Sequence, residues 1–234
     1  MRKINSDRKI ARIGGVLYLL TFVSIPTLAL YNAIHQPDYI TGTGPDSSVI
    51  IGGILEIIVA LAGIGTAVVL YPVLKKQNQG LVLSLLASRV LEACTIFVGV
   101  MFLLTVVTLH QTSAGAGALV TGRTLVIMYD RMFLIGQSFM PAVNDILLGL
   151  LLYNAKLIPR ALALIGLIGG AILIAGDIGV LFGLFGQHDS TTSLFAVPVA
   201  VFEFTLGIYL ILKGFRQAPA ANEDTDAMIE LGRD

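Results

Sequence analysis

Six ionisable side chains stand inside long apolar stretches of this 234-residue chain: Glu56, Arg89, Glu92, Asp145, Asp177 and Glu203. A charge in apolar surroundings is costly, and where one persists it pairs with another group, holds a proton or ion, or lines a ligand path. Arg89 and Glu92 are three residues apart and share a helix face, so they can pair with each other or jointly face a third helix. Asn144 and Asp145 follow Pro141 within about one helical turn. Proline inside a helix removes a backbone hydrogen bond, here leaving the carbonyl of Gln137 free, and interrupted helices near the bilayer midplane are where transporters commonly bind substrate. The residue types thus point to a ligand or proton site made of Arg89, Glu92, Asn144, Asp145 and Glu203. Glu56 and Asp177 form a secondary set of buried acids, and Pro141 marks a helix kink.

Composition decides what kind of element must carry these groups. With 56% hydrophobic residues, 13% charged residues and a mean hydropathy of +0.86, the chain has more apolar surface than a soluble domain of this length could bury. The lipid bilayer is therefore the expected partner, and the absence of a basic stripe interleaved with aromatics argues against nucleic acid. Six apolar stretches are long enough to span: Ile13 to Leu30, Val49 to Leu70, Leu81 to Leu109, Arg131 to Tyr153, Ala161 to Phe182 and Leu194 to Leu212. The fold class is all-α, a polytopic bundle of six transmembrane helices over residues 1–216. An acidic cytoplasmic tail over 217–234, with Pro219 and several alanines, is too polar to pack. The basic amino-terminus followed by an apolar run lacks a small-x-small cleavage site, so it reads as a retained first helix.

Lysine and arginine orient the bundle. They precede the first span and recur at Lys75 and Lys76, at Lys156 and Arg160, and at Lys213 and Arg216, whereas Tyr31 to Ser48 and Gly183 to Ser193 contain none. Positively charged connections stay inside, which puts both termini in the cytoplasm. The stretch Ala118 to Tyr129 reads as a short interfacial helix on the outer surface. Tyr31, Tyr71 and Tyr153 fall at span ends, where amphipathic rings settle at headgroup level. In the fifth span, Gly166 with Gly170 and Gly179 with Gly183 are small-xxx-small pairs suited to close helix packing.

Counting about 1.5 Å of rise per residue puts Arg89, Glu92, Asp145 and Glu203 at one level, about 12 to 16 Å from the cytoplasmic boundary. Glu56 and Asp177 come out higher, at about 21 to 22 Å. At the inner level one guanidinium faces three acids, so either some acids hold protons or a cation or cationic ligand binds there.

The three histidines, His35, His110 and His188, all fall in outer connections and are the candidate ligands of an outer-face metal, although no paired spacing such as His-x-x-x-His brings them together. The lone cysteine, Cys94, rules out an intrachain disulfide and a thiol metal site. A nucleophile elbow, phosphate loop, nucleotide-binding glycine fingerprint and haem attachment motif are all missing, so the balance falls against an enzyme and no cofactor is implied.

Three stretches carry a resemblance: Arg89-Val-Leu-Glu92, Asn144-Asp-Ile-Leu-Leu-Gly149 leading into Leu157-Ile-Pro-Arg160, and Phe202-Glu203 through Gly207 to Lys213-Gly-Phe215. In these the chain resembles the bacterial integral membrane proteins grouped as domain of unknown function family 4386. The resemblance implies a six-helix protein of a bacterial plasma membrane, carries no established activity, and transfers no catalytic residue. Three readings of function follow. The first is a small transporter or ligand-binding membrane protein, with a small molecule or cation held at the Arg89 level. The second is a non-catalytic membrane partner or assembly protein whose buried charges are structural. The third is a metal-dependent intramembrane hydrolase built on the outer histidines.

Overall fold

The computed structural model describes residues 2–42, 44–112 and 115–216, and the acidic segment 217–234 lies outside them. Among the described residues the protein is all helical, in chain order α1 (Arg2–Thr21), α2 (Thr27–Leu30), α3 (Asp46–Leu74), α4 (Gln79–Gln111), α5 (Gly115–Phe133), α6 (Met140–Asn154), α7 (Arg160–Leu181) and α8 (Ser190–Leu212). Local chemistry sets several boundaries. Asp46 in the first turn of α3 favours the positive end of its helix dipole, and Asn78 caps α4 by accepting a hydrogen bond from the Leu81 N–H at 3.0 Å. Pro159, which cannot extend a preceding helix, introduces α7.

Among the described residues, five helices are long and apolar enough to cross a membrane: Asp46–Leu74, Gln79–Gln111, Gly117–Asn154, Arg160–Leu181 and Ser190–Leu212. Their outward faces carry large apolar side chains such as Leu61, Met101 and Ile168, each more than half exposed. The expected first span, Ile13 to Leu30, is not one regular helix. α1 passes through a 3₁₀ turn, Phe22–Ser24, and a bend at Ile25 and Pro26 before the single turn of α2. The cause is local. Pro26 has no N–H to give, and the hydroxyls of Thr21, Ser24 and Thr27 each bond back to the carbonyl three residues earlier, competing with the helical ladder.

The stretch expected as a separate interfacial helix is also corrected. α5 continues without a break through a π-helical segment, Leu134–Phe139, into α6, so that Gly117–Asn154 forms one 38-residue rod. The backbone N–H of Met140 reaches the Ile135 carbonyl five residues back. The donor missing at Pro141 is thus accommodated by a wider turn ahead of it, where a broken helix was expected.

α1, α3, α4, α6, α7 and α8 pack as a closed ring in which each helix meets the next and α8 returns to α1. One end of the ring holds the apolar cluster of Leu74, Leu85, Leu152, Ile158 and Leu210 beneath the basic connections, and there the Arg216 N–H donates to the Leu157 carbonyl at 2.7 Å. The Lys75 ammonium and the Arg160 guanidinium each lie 5.3 Å from the ring centres of Tyr71 and Tyr153. At the opposite, histidine-bearing end, Tyr31, Tyr39, Val49, Leu103 and Tyr129 form a second core. Tyr31 is therefore buried in protein and does not sit in an aromatic belt.

Of the small-residue pairs in α7, Gly166 faces the Phe202 ring and Gly170 lies against the backbone of α6, where an added methyl carbon would stand 2.6 Å from the Ala142 carbonyl oxygen. Gly183 has no neighbour within 4 Å and instead ends the helix at φ +71, so it plays no part in packing. Replacing Gly170 by leucine is expected to destabilise the folded protein by about 1 to 3 kcal/mol or prevent its accumulation, because α6 backbone cannot move aside. Gly117→Leu, at a position with open surroundings, should leave the melting temperature in nanodiscs within about 2 °C of wild type.

Candidate functional site

The inner charges meet at the middle of the ring. Arg89 on α4 is 2% exposed and turns its guanidinium toward three helices. Nη1 donates to Glu92 at 2.9 Å and 3.3 Å, and Nη2 donates to Glu203 of α8 at 3.2 Å and to the Tyr18 hydroxyl of α1 at 3.3 Å. The Tyr18 ring also lies 5.6 Å from the guanidinium carbon, close enough for its negative face to contribute. Asn144 of α6 completes the set by donating to Glu92 Oε2 at 2.7 Å. One cation therefore ties α1, α4 and α8 together directly, and Glu92 extends the tie to α6.

Asp145 stands apart from this exchange. It is fully buried within electrostatic reach of Arg89, Glu92 and Glu203, yet neither carboxyl oxygen has a hydrogen-bond partner among the described residues. The Arg89 Nε and Asn144 Oδ1 are likewise unpartnered. A cavity of about 230 Å³ opens beside the network and is lined by Arg89, Glu92, Gln137, Ser138, Pro141 and Glu203 among others. Its wall includes Phe22, Ser24 and Ile25 from the irregular exit of α1, and Ile25 is 61% exposed. The π-helical segment supplies Gln137 and Ser138 to the same wall.

Glu56 and Asp177 belong elsewhere. Glu56 accepts a hydrogen bond from the Tyr129 hydroxyl at 2.6 Å, and Tyr129 in turn packs edge-on to Tyr31 with ring centres 5.4 Å apart. Asp177 of α7 accepts from Ser138 Oγ at 2.7 Å. Each of these acids keeps one oxygen without a partner.

The histidines separate into two groups. His35 Nε2 and His188 Nε2 lie 3.1 Å and 3.6 Å from the same oxygen, Oδ1 of Asp130, and the two rings meet edge to face at 5.1 Å. The three donor atoms all fall within 4.8 Å of one another, which makes this trio the metal-capable cluster among the described residues. His110 does not join it. Its Nδ1 is 2.6 Å from Asp46, which also receives the Tyr39 hydroxyl, and its Nε2 donates to the Gly42 carbonyl at 3.0 Å. A three-histidine centre is thereby corrected: both nitrogens of His110 are engaged in holding the 31–42 connection to α3 and α4. The hydrogen bond to Asp130 holds the His35 imidazole above the ordinary histidine range, against the opposing effect of partial burial.

Tyr18, Tyr129 and Asp130 escape a reading of the sequence. Asp130 had a signal, since it sits one residue before the expected span beginning at Arg131, on the same side of the bundle as the histidine-bearing connections. Tyr18 had none, being one aromatic among apolar residues.

No curated protein and no solved structure matches the chain. A family model described as Domain of unknown function (DUF4386) matches residues 13–214. That match runs from within α1 to the turn beyond α8 and takes in Arg89, Glu92, Asn144, Asp145 and Glu203, so the chain belongs to the DUF4386 family.

Proposed function

We propose that this protein is a small transporter or ligand-binding protein of a bacterial plasma membrane, with six crossings, both termini cytoplasmic, and a site at Arg89 for a small cationic or proton-exchanging solute. The observation that carries the proposal is the cavity of about 230 Å³ reaching Arg89, Glu92 and Glu203. A purely structural ion cluster gains nothing from such a space, whereas a binding site requires it. The charge count favours a cation: one guanidinium is set against Glu92, Glu203 and Asp145, leaving two negative charges in excess if all three acids are ionised. A cationic ligand or protons would balance them. α1 with its following turns serves as the sixth crossing in this reading. Residues 13–30 would span about 27 Å as a regular helix, and Ile13, Val16 and Ile25 present an apolar face outward. The gathering of basic connections at one end of the ring supports the orientation.

The engagement of both terminal nitrogens of Arg89 by Glu92, Glu203 and Tyr18 favours a second reading, in which the network only fixes helix register. Solvent access separates the two. In a Cys94→Ser background, Ala200→Cys on the cavity wall should react with a membrane-impermeant thiol reagent at least about tenfold faster than Val201→Cys on the outward face, because only a hydrated thiol ionises and reacts. Equal, negligible reactivity at both positions would leave the binding reading without support and favour the structural one.

Stability divides the acids further. Glu92→Gln removes the closest partner of a buried guanidinium and should cost about 3 to 5 kcal/mol, read as a lower melting temperature in nanodiscs. Asp145→Asn removes a buried carboxylate that has no hydrogen-bond partner, and is expected to leave stability unchanged or raise it. A loss at Asp145 as large as that at Glu92 would instead make Asp145 part of the structural network.

A further inference from the structure

The histidine-bearing end holds a second site with its own chemistry. His35 lies in the connection after α2, Asp130 on α5 and His188 in the connection between α7 and α8, so three separate parts of the chain converge. The orientation of His35 is fixed from behind: its Nδ1 lies 3.0 Å from the Tyr31 carbonyl oxygen. A carbonyl can only accept, so Nδ1 carries the proton, and in the neutral ring Nε2 presents its lone pair forward. That lone pair points at a carboxylate oxygen 3.1 Å away. Two acceptors at this distance repel unless a proton or a metal ion lies between them. An imidazole anchored through one nitrogen with the other turned to a carboxylate and a second imidazole is the usual arrangement around a bound metal.

The second connection is held in place as well. Gln187 donates to the Asp130 backbone carbonyl at 2.7 Å, and Asp189 accepts from the Gly186 N–H at 2.6 Å, so His188 is flanked by residues tied to α5 and to their own turn. Ligands of a tetrahedral zinc at about 2.0 to 2.1 Å stand about 3.3 Å apart. The separations of 3.1 Å and 3.6 Å from Asp130 Oδ1 bracket that value, and the remaining one, between the two imidazole nitrogens, lies within 4.8 Å. His188 is 58% exposed at its side chain, and His35 and Asp130 also line a neighbouring cavity of about 280 Å³. A metal held by three protein donors here would keep at least one position for water or a solute.

We propose that His35, Asp130 and His188 bind a single first-row divalent metal ion, with Zn²⁺ as the fitting probe, at the end of the bundle opposite the basic connections. Two imidazoles and one carboxylate suit such an ion and not Ca²⁺ or Mg²⁺, which take oxygen ligands. The site is independent of the Arg89 cavity, and its failure would leave the reading of that cavity intact.

The test uses the full-length protein, purified in detergent without a polyhistidine tag, stripped with a chelator, and titrated with Zn²⁺ against a fluorescent zinc chelator. Wild type should bind about one equivalent, while His188→Ala and Asp130→Asn should each weaken binding at least about tenfold. His188 is mostly exposed, so its replacement does not put the fold at risk, and melting temperatures check each variant. A wild type that binds under about one tenth of an equivalent overturns the proposal, and so does equal binding by wild type and His188→Ala. Cobalt provides a readout that needs no variant. Co²⁺ in a four- or five-coordinate nitrogen and oxygen site gives visible absorption well above that of the aqueous ion, and a spectrum identical to aqueous Co²⁺ would also overturn the assignment.

Discussion

A guanidinium buried among the helices governs the centre of this protein. Arg89 cannot discard its charge by losing a proton, as a buried lysine or carboxylic acid can, so the surrounding helices must supply acceptors. Three are supplied from three helices: Glu92 on its own helix, Glu203 on α8 and the Tyr18 hydroxyl on α1. Closure of the ring at α1 and α8 follows the same requirement. If α8 moved away, Arg89 would lose one of its two carboxylate partners. The packing of Gly15 against the backbone of Gly207 is the steric counterpart of this electrostatic tie, since a methyl carbon at Gly15 would stand 2.6 Å from the Gly207 carbonyl oxygen.

The depth of the inner site was legible in the sequence because helical rise is constant. Counting from the basic ends puts Arg89, Glu92, Asp145 and Glu203 at one level, and the structure brings Arg89, Glu92 and Glu203 into direct contact there. Rise says nothing about direction around the helix axis, however. Asn144 and Asp145 are adjacent and equally deep, yet Asn144 bonds Glu92 whereas Asp145 has no hydrogen-bond partner. Pro141 shows the same limit in the backbone. Its missing donor is certain from the residue type, but whether the chain breaks or widens depends on tertiary packing, and here close packing of the Gly136 backbone on Thr95 keeps the π-helical turn within the bundle. The split of the histidines was not legible either, because it depends on Asp46 and Asp130 at the ends of two different helices.

The two ends of the bundle solve different problems. At the basic end, aliphatic side chains pack under short connections, and the cationic heads of Lys75 and Arg160 rest over tyrosine rings. At the histidine end the helices run on, and the connection between α2 and α3 is fastened by side chains: Tyr39 and His110 both bond Asp46, and Gln111 reaches the other Asp46 oxygen at 3.1 Å. The rod formed by α5 and α6 joins the ends. It carries Asp130 of the histidine cluster, Gln137 and Ser138 of the cavity wall, and Asn144 and Asp145 of the inner charge level on one continuous helix.

The arrangement of the Arg89 network also bears on how the chain is made. Synthesis delivers α4 with Glu92 already beside Arg89, so the helix enters the bilayer with its charge partly neutralised by its own sequence. Asn144 follows with α6, and Glu203 comes only with the last helix. Until α8 arrives, one side of the guanidinium lacks its second carboxylate, and α1 lacks the neighbour that closes the ring. A chain halted before α8 thus differs from the finished protein in leaving Arg89 with one carboxylate partner, Glu92, in place of two.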